Sequence, residues 1–344
     1  MIRKLQKMPK TELHMHLDGS VQPSTLLQLA ARSGQPLEFQ EPNELLPCMQ
    51  VEEDCRNLKE YLEKFDFVLP YLQSAEALEQ VAYEAVFQCA EQGCLYTEVR
   101  FAPQLHILKG LSVSDVIAHV LSGLHKANTE LGILAQGIAI CMRHHNETQN
   151  LETVEAAAAF LGRGLAAVDL AGDEASFPAS NFRSVFARAR ELGLPTTIHA
   201  GEAAGADNIR EAVYGLHALR IGHGIRLQES SELALAILEL GVPLEMCPTS
   251  NIQTKAVPDW ESYPIRDYFS QGIKVTINTD NPTVSNTTLT REYEQLHQRF
   301  GFTWEELKQI SLNGAAAAFL PDDEKQLLKE KMLERFRELE AEEE

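Results

Sequence analysis

The sequence predicts an α/β chain folded as a single (β/α)8 barrel of the TIM type, with a helical insertion after its first strand. Three observations lead there. Eight short apolar runs alternate with amphipathic helical stretches. The length of 344 residues fits one such barrel. An open doubly wound sheet is the competitor, but it more often carries a glycine-rich phosphate loop after its first strand, and here there is none.

The eight runs are TELHMHLD (11–18), LYTEVRFAP (95–103), LAQGIAICMR (134–143), LAAVDLAGD (165–173), PTTIHAGE (195–202), LRIGHGIRL (219–227), VPLEMCPTSN (242–251) and KVTINTDNP (274–282). FRSVFARARELG (182–193) and SELALAILELG (231–241) exemplify the helices between them. One connection is out of scale. Residues 19–94 separate the first two runs and read as a helical, lid-like insertion within a single domain spanning 1–344. Inside it, NLKEYLEKFDFVLPYL (57–72) places Leu58, Tyr61, Leu62, Phe65 and Leu69 at helical spacing. That stripe either packs on the core or covers the barrel mouth. The charged C-terminal stretch DDEKQLLKEKMLERFRELEAEEE reads as a solvated helix with a frayed acidic end.

The bulk numbers exclude some functions. A formal net charge of -20 repels phosphate backbones, so a small neutral or cationic substrate fits better than nucleic acid. The six cysteines form no C-x-x-C pair and read as reduced thiols. MIRKLQKMPK lacks an apolar signal core, and no stretch approaches the ~20 apolar residues of a membrane helix. The expected setting is cytoplasmic.

In such a barrel the site lies at the C-terminal ends of the strands. His14, His16 and Asp18 end the first run, Gly172, Asp173 and Glu174 the fourth, His199 and Glu202 the fifth. His223 lies in the sixth, and Asp280 and Asn281 end the eighth. Strand alternation puts Glu12, His14, His16 and Asp18 on one face and Leu13, Met15 and Leu17 on the other. Two imidazoles on one face lie about 6.6 Å apart, a spacing that lets them converge on one metal ion. Three histidines and an aspartate suit Zn²⁺ with a further position open to water. The ion lowers the pKa of that water to about 7. Glu202, just past a strand end, suits a general acid, and His223 suits a residue that accepts a proton from the attacking water or holds it. The histidines at 106, 119, 125, 144, 145, 217 and 297 have no comparable setting and read as structural or surface residues.

TELHMHLDGS, TEVRFAP, VDLAGDE, TIHAGE, RIGHGI, CPTSN and NTDNP together resemble the adenosine deaminase family of the metal-dependent amidohydrolase superfamily, over about residues 9–320. The resemblance implies one Zn²⁺ per chain held by His14, His16, His199 and Asp280. It implies hydrolytic deamination of adenosine or 2'-deoxyadenosine, a small-molecule purine nucleoside. Glu202 matches the acid that protonates purine N1, and His223 the histidine that acts on the water. His16, Asp18, Gly172 and Asn281 match substrate-contacting positions, Asp18 at the ribose and Gly172 at the purine. NLKEYLEKFDFVL resembles the family's hydrophobic gate. Asn281 departs from the family, which commonly has a second aspartate there to meet purine N7. Its amide donates a hydrogen bond at any pH. Sibling deaminases of adenine, aminodeoxyfutalosine or N6-substituted AMP are the nearest alternative. A metal-free purine-binding protein and a general amidohydrolase with a different scissile bond are further ones. The first would be expected to lack Glu202 or a ligand, and a two-metal version of the second to bring a lysine or glutamate that bridges the site; no strand-end lysine is seen.

Overall fold

The computed structural model describes residues 1–52 and 55–342. Its eight strands are β1 (Lys10–His16), β2 (Cys94–Phe101), β3 (Leu134–Met142), β4 (Leu165–Ala171), β5 (Thr197–Ala200), β6 (Arg220–His223), β7 (Leu244–Met246) and β8 (Val275–Ile277). Each falls within one of the eight apolar runs or overlaps it closely. All neighbouring strands run parallel, in the order β1-β2-β3-β4 and β5-β6-β7-β8. Two seams close the barrel. Val168 donates its N–H to the Pro195 carbonyl at 3.0 Å, joining β4 to β5. Asp280 donates to the His14 carbonyl and His16 to the Asp280 carbonyl, both at 2.8 Å. The second seam therefore runs between three of the predicted site residues.

The helices form where the sequence supplies both ends. Ser231–Leu240 starts at Ser230, whose Oγ accepts the Leu233 N–H, and stops at Gly241 in the left-handed region, φ 67. Val113–Leu131 opens with a reciprocal Ser112–Asp115 capping box and ends at Gly132, φ 68. The predicted face alternation of β1 holds. Leu13, Met15 and Leu17 join the main core outside the barrel, while the His14 ring lies within hydrogen-bonding distance of Glu245 on β7.

The segment expected as one insertion divides. Ala75–Glu91 packs on Val113–Leu131 and β2 as an outer-ring helix, so the irregular part ends before it. The predicted helix over 57–72 is broken into Leu58–Leu62, Phe65–Val68 and a short turn Leu69–Tyr71. Asn57 caps the first piece, and i→i+3 bonds from Glu63 and Lys64 tighten its end. The stripe then bends onto a small cluster of its own. Tyr61 and Phe65 pack with Cys55 and Val284, apart from the main core.

The C-terminal helix Asp322–Ala341 is less solvated than its charge suggests. Leu328, Met332, Phe336 and Leu339 are buried along one stripe, and Phe336 meets Trp304 edge-on. All six cysteines are free. Among the described residues no helix is long and apolar enough to cross a membrane.

Candidate active site

A cavity of about 330 Å³ opens at the C-terminal ends of the strands. His16, Asp18, Gly172, His199, Glu202, His223, Asp280 and Asn281 all line it. His14 lies one layer deeper. The stripe residues Leu58, Tyr61, Leu62, Phe65 and Leu69 form its apolar wall, so the stripe both packs on itself and covers the mouth. His144 also lines the cavity, which corrects its reading as a structural or surface residue. It stands directly past the end of β3, a strand end that the sequence reading left without a site residue.

Three of the four expected ligands, His14, His199 and Asp280, come together with His223, read from the sequence as a catalytic residue: each of the four offers an atom within 4.8 Å of the others. His16 joins them, with Nε2 3.3 Å from Asp280 Oδ1 and 3.2 Å from His199 Nε2. The His14 and His16 rings are 5.5 Å apart, close to the spacing expected along a strand. His14 Nε2 is buried, makes no hydrogen bond among the described residues and lies 3.4 Å from Asp280 Oδ1. A buried polar atom left so is costly, and a divalent cation among imidazoles and a carboxylate removes the cost. The donor set fits such an ion.

Three of the candidate ligands, His14, His199 and Asp280, are aimed by a partner behind them. His14 Nδ1 lies 2.8 Å from Glu245 Oε2, and His199 Nδ1 lies 3.1 Å from Asp169 Oδ1. Arg100 ties both carboxylates together at 2.8 Å each. Arg220 adds a 2.6 Å bond to the far oxygen of Glu245 and a further one to Glu98. Ser250 donates to Asp280 Oδ2 at 2.6 Å. Such partners fix ring orientation and tautomer. Burial pushes His199 down to about 4, so its ring is neutral and free to ligate. Burial alone raises the Asp280 carboxyl, but the His14 and His16 imidazoles, 3.4 and 3.3 Å from its Oδ1, outweigh it and hold Asp280 well below the usual range.

Glycines make the room. A Cβ on Gly222 would lie 2.9 Å from His14 Cε1, so the first glycine of IGHG leaves space for the ring. His223 and Asp280 adopt left-handed backbones, φ 64 and 62, which cost non-glycine residues about 1–3 kcal/mol each and recur at functional sites. Gly172, at φ 108, turns the chain out of β4.

Opposite the ligands stands Glu202. Burial first, then the Asp280 and Glu174 carboxylates, push its carboxyl well above the usual range. It is a buried acid that holds its proton. Its Oε2 is 3.6 Å from His223 Nε2, and Thr254 donates to Oε1 at 3.2 Å. His223 Nδ1 accepts from Asn251 Nδ2 at 2.9 Å, while Tyr263 donates to the Asn251 oxygen. The neutral His223 ring therefore carries its hydrogen on Nε2, facing the cavity.

Sequence reasoning noted Glu174 at a strand end without giving it a task. Its carboxylate accepts four consecutive backbone N–H groups, from Gly201 at 2.7 Å, Glu202 at 3.0 Å, Ala203 at 2.8 Å and Ala204 at 3.0 Å. It holds the loop that carries the acid. Asp169, Glu245 and Arg100 were missed as ligand supports. Their signal was present as charged residues inside apolar strands.

The comparisons with known proteins agree with this fold. The model of the adenosine deaminase family matches residues 9–335. The adenosine deaminase of Enterococcus faecalis is 42% identical over 329 residues, covering 96% of this chain and 97% of that protein. One from Clostridium botulinum is 42% identical over 325 residues, covering 94% and 97%. Among solved structures, the adenine deaminase of Arthrobacter aurescens superposes with a TM-score of 0.88 at 27% identity, covering 96% of this chain and 99% of that one. The N6-methyl-AMP deaminase of Arabidopsis thaliana gives 0.84 at 25%, covering 96% and 98%. With the motif residues gathered at one barrel mouth and the match running nearly end to end, the chain belongs to the adenosine deaminase family.

Proposed function

We propose that the chain is a zinc-dependent adenosine deaminase of the cytoplasm. It converts adenosine or 2'-deoxyadenosine and water to inosine or 2'-deoxyinosine and ammonia. One observation carries the reading: a single cavity joins His16, His199 and Asp280 to Glu202, a buried carboxyl pushed well above the usual range. His14, His16, His199 and Asp280 would hold one Zn²⁺. When bound, such an ion supplies the Lewis acidity that makes water nucleophilic at neutral pH.

The chain's own groups do the rest. Glu202 gives its proton to purine N1 as water adds to C6 and the ring loses aromaticity. His223, with its hydrogen on Nε2, holds the attacking water by hydrogen bonding. This favours the orienting role over proton acceptance, because Nδ1 is already engaged by Asn251. The two protons of the added water balance the step: one restores Glu202 to its acid form, the other leaves with the exocyclic amine as ammonia, and C6 is left as a carbonyl. Gly172 lets the ring lie against bare backbone, and Asn281 offers an N–H to N7. Leu58, Leu62 and Phe65 exclude water above the base.

A nucleoside fits the mouth better than a nucleotide. Asp18, Glu63, Asp66 and Asp173 line it against one lysine, Lys59. That balance opposes a phosphate. Free thiols at all six cysteines accord with a reducing compartment.

The test is ammonia release from a panel of adenosine, 2'-deoxyadenosine, adenine, adenosine monophosphate and aminodeoxyfutalosine. Adenosine and 2'-deoxyadenosine should give the highest kcat/KM. Turnover of adenine or the monophosphate without adenosine would replace this reading with the sibling one.

A further inference from the structure

The seam between β1 and the end of β8 is closed by side chains as well as by backbone. Among the described residues one backbone bridge joins the two, Met15 to Asp280. On the N-terminal side of that bridge each strand sends a side chain to the other. Asn278 Oδ1 accepts the Leu13 N–H at 2.9 Å. In return Glu12 reaches across to Thr279, where its Oε2 accepts the N–H at 3.0 Å and the Oγ–H at 2.8 Å. Glu12 Oε1 turns back to its own strand and accepts the His14 N–H at 3.1 Å. One fully buried carboxyl thus ties the backbone of one candidate ligand, His14, to the residue that precedes another, Asp280.

Two features give this tie weight. A cavity of about 490 Å³ lies between the seam and the helices Pro23–Arg32 and Ala75–Glu91, with Glu12, Met15, Thr279 and Gln88 in its wall. Little therefore packs behind the seam at this level, and its polar bonds carry the register. Asp280 stands at φ 62, a backbone conformation that persists only where its neighbours hold it. Its own N–H is held by the His14 carbonyl at 2.8 Å, and the N–H before it by Glu12.

We propose that Glu12 is a positioning residue for the metal site: its two oxygens, one turned to each strand, splice β1 to the turn after β8 and so set His14 and Asp280 for one cation. The ligand class is a divalent cation that imidazole and carboxylate suit, zinc above all. This rests on the zinc reading of the site. Glu12 lies behind the ligands and acts through their backbone, so its effect falls on metal affinity before it falls on turnover.

The experiment measures zinc affinity of the full chain in competition with a chromophoric chelator, and backbone hydrogen exchange of the protein as purified by mass spectrometry. Glu12→Gln keeps the size of the side chain but has one acceptor oxygen, so it can serve one strand and not both. It should bind zinc roughly ten- to a hundredfold more weakly. Exchange should quicken around 11–17 and 277–282, while the seam between β4 and β5 keeps the parental rate. Thr279→Val leaves Glu12 and its charge in place and removes only the hydroxyl bond. It should weaken zinc binding about three- to tenfold, and it carries the test if Glu12→Gln does not fold. Ile237→Val, a core change in the outer helix Ser231–Leu240, should keep the parental zinc affinity. Parental zinc affinity in both splice variants, or exchange that quickens evenly over the whole barrel, would overturn the proposal. A parent that binds no zinc would overturn the metal reading itself, and the role with it.

Discussion

The carboxylate of Glu174, at the end of β4, accepts the backbone N–H of Glu202, past the end of β5, at 3.0 Å. Its two oxygens have unequal loads. Oε1 takes only Gly201, while Oε2 takes Glu202, Ala203 and Ala204. Glu174→Gln can place its NH₂ at the Oε1 position and forfeit one bond. Glu174→Ala forfeits all four. Hydrogen bonds to charged groups are worth about 1.5–3 kcal/mol. We therefore expect Glu174→Gln to lose about 2 kcal/mol in denaturant unfolding, and Glu174→Ala clearly more. Turnover should fall in the same order, because the acid's backbone is no longer held. Equal turnover in the two variants would mean that the loop holds itself.

Asp169 stands behind His199 and shares Arg100 with Glu245. Partners of this kind typically contribute 10–100-fold to metal affinity. Asp169→Asn is expected to weaken zinc binding by that factor in competition with a chromophoric chelator. Strong chelation of the parent should abolish activity, and added zinc should restore it. Full activity in metal-free protein would remove the metal from the reaction.

The barrel was legible because its signal is periodic. Strands buried on both faces read as apolar runs, and the eight recur between helical stretches. The cluster of candidate metal ligands was legible because its members sit at strand ends, where the fold gathers polar groups from distant positions. The supporting residues were harder. Arg100, Asp169 and Glu245 lie within strands, and which of them meet depends on the register between β2, β4 and β7, which one sequence does not display. The gate was half legible. Helical spacing identified the stripe at 58–69, but the break after Leu62 follows from local i→i+3 bonding and from the cluster with Val284, more than 200 residues away.

Gly222 offers a steric test of the ligand layer. A Cβ there would meet His14 Cε1 at 2.9 Å and the His199 backbone at 3.2 Å, two ligand positions at once. His14 is pinned by Glu245 and cannot swing away freely. Gly222→Ala should cost about 1–3 kcal/mol as an overpacked core site. It should also lower zinc affinity in a way that a distant destabilising change does not. Zinc titration of the folded variant checks this, and parental affinity would show that the His14 ring relaxes.

Glu202 sets the pH dependence. Its carboxyl is held well above the usual range by burial and by Asp280 and Glu174, so it keeps its proton to a higher pH than a free carboxyl. In the proposed reaction that proton goes to the purine. Activity limited by this group is therefore present below its folded pKa and falls as pH rises through it, giving an alkaline limb to kcat/KM. The stability sign follows from the same shift. The unfolded carboxyl ionises near 4.5 while the folded one does not, so this group lowers stability progressively above pH 4.5, until the folded pKa is reached. Glu202→Gln removes both effects. It should keep zinc and nucleoside binding, lose the alkaline limb, and turn over ~10²–10⁴-fold more slowly. Its melting temperature should gain on the parent's as pH rises from 4.5 to 8. Turnover within a few-fold of the parent would take Glu202 out of the chemistry. A melting difference that stays constant with pH would mean that the folded and unfolded carboxyls titrate alike.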